Sequence, residues 1–440
     1  MISRRINIFQ RFAILAFALI AFSCTHADLD FRTGGTTGSN QYPERGEGTR
    51  YKNVFLLYSA GYNDLSSEFD HDVQDILNNY IPNSRREAVL IFSHRTKSAY
   101  NYIDKTSPTL TRVYVDTDGS VACDTLLVMD PETPSASSET VNEVLTYVKE
   151  NFPAERYGMM FSSHGTGWLP AGFKFSKSSA WRANVGDEGA EQYLTGVRPD
   201  GLPAVRSAGY QAAKNASPKE IDIKDFADAI PMYLDYLIFD ACLMGCVEVA
   251  YEFKDKCRYL VVSPAEILVE GMDYETAISY LIRENGPDLV GFSENYYEFY
   301  NDPSRSSSYR SGTITLVDCT QLDQLALTCK DIFNTYRDKI AVLENKNMYV
   351  QQYYTSSAHK CFYDMADIIA NCNASDEDLG LLNESLDKCI PYCASTNYIL
   401  GYVRVRSYSG LSMYLPLSAE KSVNEYYKTL EWNKATGLLQ

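Results

Sequence analysis

The sequence predicts an α/β protein: a mostly parallel sheet sandwiched between helices, followed by a mainly helical C-terminal extension. Three observations carry this. Short apolar runs alternate with stretches of helical spacing from residue 52 to about residue 263. Several of the runs are almost continuously apolar, as strands covered on both faces must be. Two of them stop at small polar residues of a reactive kind, Ser163-His164-Gly165 and Asp240-Ala241-Cys242, at the carboxyl ends where open α/β sheets place their chemistry.

The first residues form a leader. Arg4, Arg5 and Arg11 accompany an apolar core from Phe12 to Phe22, and small residues then lead to Cys24, the pattern of a secretory signal peptide over 1–23. The core is too short to span a bilayer, and no later stretch approaches the length needed, so no transmembrane helix is expected after processing. AFSC resembles a bacterial lipobox, which would make Cys24 a lipidated first residue and anchor the chain at the bacterial cell envelope or surface. An ordinary signal peptidase cutting at the same bond also fits the small residues. Residues 24–50, with GGTTGSN and PERGEG, read as a flexible tether.

Beyond the tether the elements follow in order. KNVFLLYSAG is a first strand, and Phe69, Val73, Ile76 and Leu77 space a helix. AVLIFSHR is a second strand, and LTRVYVDTDGSVACDTLLVM a hairpin turning at Asp118-Gly119. SSETVNEVLTYVKENFP supplies a helix capped by Ser137 or Ser138, and Tyr157 to Phe161 a third strand that runs into His164. YLIFD and RYLVVS are further strands, with CVEVAYEF a helix between them. A Ser-rich stretch near 303–312 marks a boundary, giving a catalytic core over 51–305 and a C-terminal region over 306–440 that ends in a hairpin within YILGYVRVRSYSGLSMYLP.

A formal net charge of −17 argues against nucleic acid or an anionic membrane surface as partner and is compatible with basic substrates. The 11 cysteines include no pair at zinc-finger spacing, and those outside Cys24 and Cys242 are odd in number. Neither a complete disulfide framework nor a structural zinc site is indicated.

Cys242 at a strand end has two readings, a buried apolar thiol or a nucleophile. His164 favours the second. Carboxyl ends of parallel strands lie along one edge, so an imidazole there can take the thiol's proton. The glycines of SHGTG allow backbone amides to approach a ligand, and the Gly165 and Cys242 amides are candidate oxyanion donors. Asp240, flanked by apolar neighbours, is either a hydrogen-bonded strand-end acid or the partner of a substrate's Lys or Arg. Zinc on His164, Cys242 and Cys246 lacks a fourth ligand. The long polar stretch between the two segments offers Lys174, Lys177, Arg182 and Arg198 to a protease.

YGMMFSSHGTGWLP and LDYLIFDACLMGCVEVAYEFKDKCRYLVVSPAE resemble the histidine and cysteine segments of the clostripain family, cysteine peptidases of the caspase-like clan; VFLLYSAGYNDLS and GLSMYLP resemble it more loosely. The resemblance spans most of 52–416 and implies a caspase-like α/β/α sandwich. It implies Cys242 as nucleophile, His164 as base and acid, Gly165 and Cys242 amides as oxyanion donors, and Asp240 as the selector of Lys or Arg. It further implies self-cleavage between His164 and Cys242, with Lys174, Lys177 and Arg182 as candidate sites, giving a monomer of two chains. Some members are stimulated by calcium; no cofactor is expected to be required here, and no metal site is assigned. After SPAE this chain departs from the family with Glu270-Gly271-Met272-Asp273-Tyr274, where Glu270 would add a second acid to the pocket. The competing expectation is a catalytically silent surface lipoprotein that uses the same scaffold to bind peptides or a cell-surface partner.

Overall fold

The computed structural model describes residues 50–97, 106–172, 220–344, 349–354, 361–418 and 420–440. Cys24 and the candidate cleavage residues Lys174, Lys177 and Arg182 lie outside them. In the first half, β1 (Tyr51–Gly61), α1 (Ser66–Asn78), β2 (Glu87–Arg95), β3 (Thr109–Val115), β4 (Val121–Val128), α2 (Ser138–Asn151) and β5 (Ala154–Ser162) succeed one another. Then come α3 (Ile223–Ala229), β6 (Leu234–Asp240), α4 (Val247–Glu252), β7 (Cys257–Val262), α5 (Tyr274–Leu281), α6 (Leu289–Asn301), β8 (Thr313–Asp318) and α7 (Leu322–Val342). The chain continues with β9 (Tyr363–Asp364), α8 (Met365–Asn371), α9 (Asp376–Cys389), β10 (Tyr392–Ser395), β11 (Tyr398–Ile399), β12 (Val403–Arg404), β13 (Ser412–Met413), α10 (Lys421–Tyr427) and α11 (Glu431–Thr436).

Nine strands form one sheet in the order β10-β8-β7-β6-β5-β1-β2-β3-β4. Its centre, β2-β1-β5-β6-β7, is parallel throughout, and both edges are antiparallel. The apolar runs of the sequence are these central strands: every residue of β1 except Lys52 is buried. Alternate residues of β6 serve opposite layers, as strand geometry requires. Phe239 packs edge-on against Phe226 of α3 and Phe253 at the C-terminal cap of α4, at ring separations of 5.8 and 5.3 Å. Tyr236, on the other face, donates its hydroxyl to the Leu281 carbonyl of α5 at 3.3 Å.

The expected hairpin turn is present, with Gly119 at φ +86 between β3 and β4, and Ser137 caps α2 through the Thr140 amide. The helix read at CVEVAYEF is present from Val247, and before it the amides of Leu243 and Gly245 are committed to the carbonyls of Ala265 and Ser263, at 3.0 and 2.8 Å. Two features differ from the sequence reading. Residues beyond 305 contribute β8 and β10 to the central sheet, β8 antiparallel to β7. The closing hairpin is confined to β11 and β12; β13 pairs instead with β9, and the Ser412 amide donates to the Gly245 carbonyl at 2.9 Å. Among the described residues no helix is long and apolar enough to cross a membrane, and none of the described cysteines is in a disulfide.

Gly158 has a packing reason to be glycine. It is registered against Tyr236, and a Cβ there would stand 1.9 Å from the tyrosine ring. Gly158→Ala should therefore destabilise the protein by about 1–3 kcal/mol through overpacking, read as a lower midpoint in urea with an unchanged slope.

Candidate active site

The site is built where β5 and β6 end. Their parallel register pairs Ser162 with Asp240, so His164 and Cys242 each stand two residues past a matched pair. Gly165 closes the approach between the two loops. A Cβ on it would lie 2.4 Å from the Cys242 carbonyl oxygen and 3.1 Å from the Cys242 nitrogen, so only glycine lets the two backbones come together. The amides of Gly165 and Cys242 thus belong to one small region of backbone. Leu243, directly after Cys242, holds φ +65, a conformation seldom adopted outside glycine and typical of sharp functional turns.

A residue not singled out in the sequence completes the histidine's surroundings. Asp64, on the turn after β1, lies with its Oδ1 2.8 Å from His164 Nε2, and both side chains are only 2% exposed. Asn63 stiffens that turn: its carboxamide oxygen accepts the Leu65 amide at 2.9 Å and its nitrogen donates to the Ala60 carbonyl at 3.2 Å. The signal for Asp64 is its place after a parallel strand. What the sequence does not disclose is that β1 lies beside β5.

Cys242 is fully buried. Its Sγ accepts the Ile267 amide at 3.1 Å and faces the Ile267 carbonyl at 3.5 Å, so the thiol is seated against the segment that follows β7. A cleft is lined by His164, Gly165, Phe226, Ala241 and Met244 among others. Asp240 is also fully buried, and its Oδ2 accepts hydrogen bonds from Ser162 Oγ, at 3.1 Å, and from the Tyr274 hydroxyl. Glu270 is engaged by Arg305, whose Nη2 lies 2.8 Å from Glu270 Oε1. His94 is a core histidine between Ser135 Oγ and the Thr106 carbonyl, and burial lowers its pKa to about 4. No cluster of three or more metal-binding side chains occurs among the described residues.

The clostripain family model matches residues 57–189 and 195–437. The chain belongs to the clostripain family. It shares this fold with an inactive zymogen C11 protease from Parabacteroides distasonis, at 28% identity and a TM-score of 0.67, over 88% of this chain and 99% of the other. A secreted C11 cysteine protease from Bacteroides thetaiotaomicron aligns over the same shares at 23% identity, again with a TM-score of 0.67. No curated protein matches the chain significantly. This clostripain-family chain is therefore a cysteine protease of caspase-like α/β/α architecture.

The two candidate loops of this clostripain-family protease share one C-terminal seat. Trp168, four residues after His164, packs its ring against Tyr414 and Tyr427 at 4.8 and 5.0 Å. Glu248, on the helix after Cys242, accepts the Tyr414 amide and the Tyr427 hydroxyl, both at 2.8 Å. Ser412 binds Gly245 from the same segment. Burial raises the Glu248 pKa to about 7, against an ordinary 4.5, with the Tyr414 amide and Tyr427 hydroxyl opposing the shift; Cys246 and Cys361 are the other titratable groups that feel its charge.

The raised value means the fold favours protonated Glu248. Its contribution to stability is present in full below the ordinary pKa and is lost as pH rises through about 7. Glu248→Gln, which mimics the protonated form, should flatten the stability profile between pH 5 and 8 and stabilise the protein at pH 8 by up to about 3 kcal/mol. Urea unfolding at the two pH values checks this.

Proposed function

We propose that this protease is an endopeptidase that cuts after Lys or Arg with a Cys242–His164 dyad. The observation that carries the reading is the shared register of the two strand ends, which brings a thiol and an imidazole to one edge of the sheet where the Gly165 and Cys242 backbones approach closely. His164 is oriented by Asp64 through Nε2, which assigns the exchange of the thiol's proton to Nδ1. His164 takes the proton from Cys242, and the thiolate attacks the scissile carbonyl. The Gly165 and Cys242 amides receive the oxyanion, and the imidazolium then protonates the leaving amine.

Asp240 is the acid that pairs the substrate's cation at the base of the pocket, where a buried carboxylate gains most from a charged partner. Self-cleavage between His164 and Cys242, after Lys174, Lys177 or Arg182, produces the two-chain form. Similarity to an inactive zymogen of the same family supports a processed precursor. Secretion through the leader, with Cys24 as a lipid attachment, places the protease at the cell envelope. The reading includes no required cofactor and leaves calcium stimulation without an assigned site.

Fluorogenic Lys and Arg peptides test the activity. Cys242→Ala and His164→Ala should abolish turnover, and a wild-type protein inert toward both peptides after proteolytic activation would favour a peptide-binding role. Asp64→Ala should lower kcat about tenfold or more with little change in KM, because it disorients the base without touching bound substrate. On a denaturing gel the purified wild type should run as two fragments and Cys242→Ala as one; equal cleavage in both would assign the cut to another protease.

A further inference from the structure

The groups hydrogen-bonded to Asp240 bear on which basic side chain it would accept. Resting on the reading of Asp240 as the substrate's counter-charge, we infer that Tyr274, with Ser162, makes this acid select lysine over arginine.

Both hydroxyls donate to the same oxygen. Ser162 Oγ reaches Asp240 Oδ2 from the neighbouring strand at 3.1 Å, and the Tyr274 phenol reaches it from the first turn of α5. The three residues are buried, at 0, 1 and 2% exposure for Asp240, Ser162 and Tyr274. A carboxylate oxygen offers about two lone-pair sites. Oδ2 is therefore saturated by the protein's own donors.

Arginine and lysine differ in what they ask of such an acid. A guanidinium binds a carboxylate best as a fork, with one N–H on each oxygen. Here the second tine must displace a buried hydroxyl, which would then lose its hydrogen bond in a place water does not reach. An ammonium is a point charge with rotatable donors and needs no two-oxygen geometry.

Tyr274 is also held in place. Asp273, just before it, accepts Thr276 Oγ1 and Asn295 Nδ2, both at 2.6 Å. The Tyr300 hydroxyl donates to the Gly271 carbonyl at 2.7 Å, and Arg305 engages Glu270. The turn 270–274 is thus tied to α6 and the following loop at three points. Glu270 serves as one of these anchors, and the phenol cannot swing aside without breaking the set.

The test compares two peptides that differ only in Lys or Arg before the scissile bond. On activated wild type, kcat/KM should favour Lys by about tenfold or more. Tyr274→Phe should raise kcat/KM on the Arg peptide relative to the Lys peptide and narrow the ratio several-fold; Ser162→Ala should move it the same way. Fluorescence-anisotropy binding of both peptides to Cys242→Ala reads the same preference without activation. Preference for Arg in the wild type, or a ratio unmoved in both folded variants, would overturn the role of Tyr274 alone. Turnover or binding confined to peptides lacking a basic residue would instead overturn the role of Asp240 itself.

Discussion

The parallel pairing of β5 with β6 is the constraint from which the site follows. A single register sets Ser162 beside Asp240, and His164 and Cys242 each stand two residues past that pair. A slip by one residue would send each side chain to the opposite face. Gly158 against Tyr236 guards this register from within the sheet, because the tyrosine ring occupies the space where any other residue would carry its Cβ. Gly165 performs the corresponding task at the strand ends, where two backbones meet. The same pairing gives Asp240 its first hydroxyl donor.

Polar groups buried this deeply are costly unless they are satisfied. Asp240 has Ser162 and Tyr274, Asp64 has His164, and Glu248 has a backbone amide and a phenol. Each of these bonds joins elements distant in sequence, so the polar network orients the loops more than the apolar packing beneath them could. Packing supplies the platform; the hydrogen bonds aim what stands on it. The seating of the Cys242 thiol on Ile267 belongs to this pattern, since the loop after β7 also receives the amides of Leu243 and Gly245.

Much of this was legible in the sequence because continuous apolar runs and helical spacing are local signals. The central strands, the Asp118-Gly119 turn, the Ser137 cap and the candidate thiol and imidazole could all be read from short windows. Sheet order is not local. That β1 lies next to β5, and so brings Asp64 to His164, depends on which strands pair. Residues beyond 305 looked like a separate region because a Ser-rich stretch precedes them, yet strand β8 carries the same apolar pattern and extends the same sheet.

The C-terminal seat has a consequence for how this protein comes into being. The Tyr414 amide that holds Glu248 lies 166 residues downstream of it, and Trp168 rests on the same distant rings. A chain synthesised from its N-terminus presents Cys242 and His164 long before that seat arrives. Until then the loop after Cys242 lacks Ser412 and the helix after it lacks its carboxylate's partners. The order of synthesis therefore delays assembly of the candidate site until nearly the whole polypeptide is made, so that a nascent protease is held back by its own unfinished length.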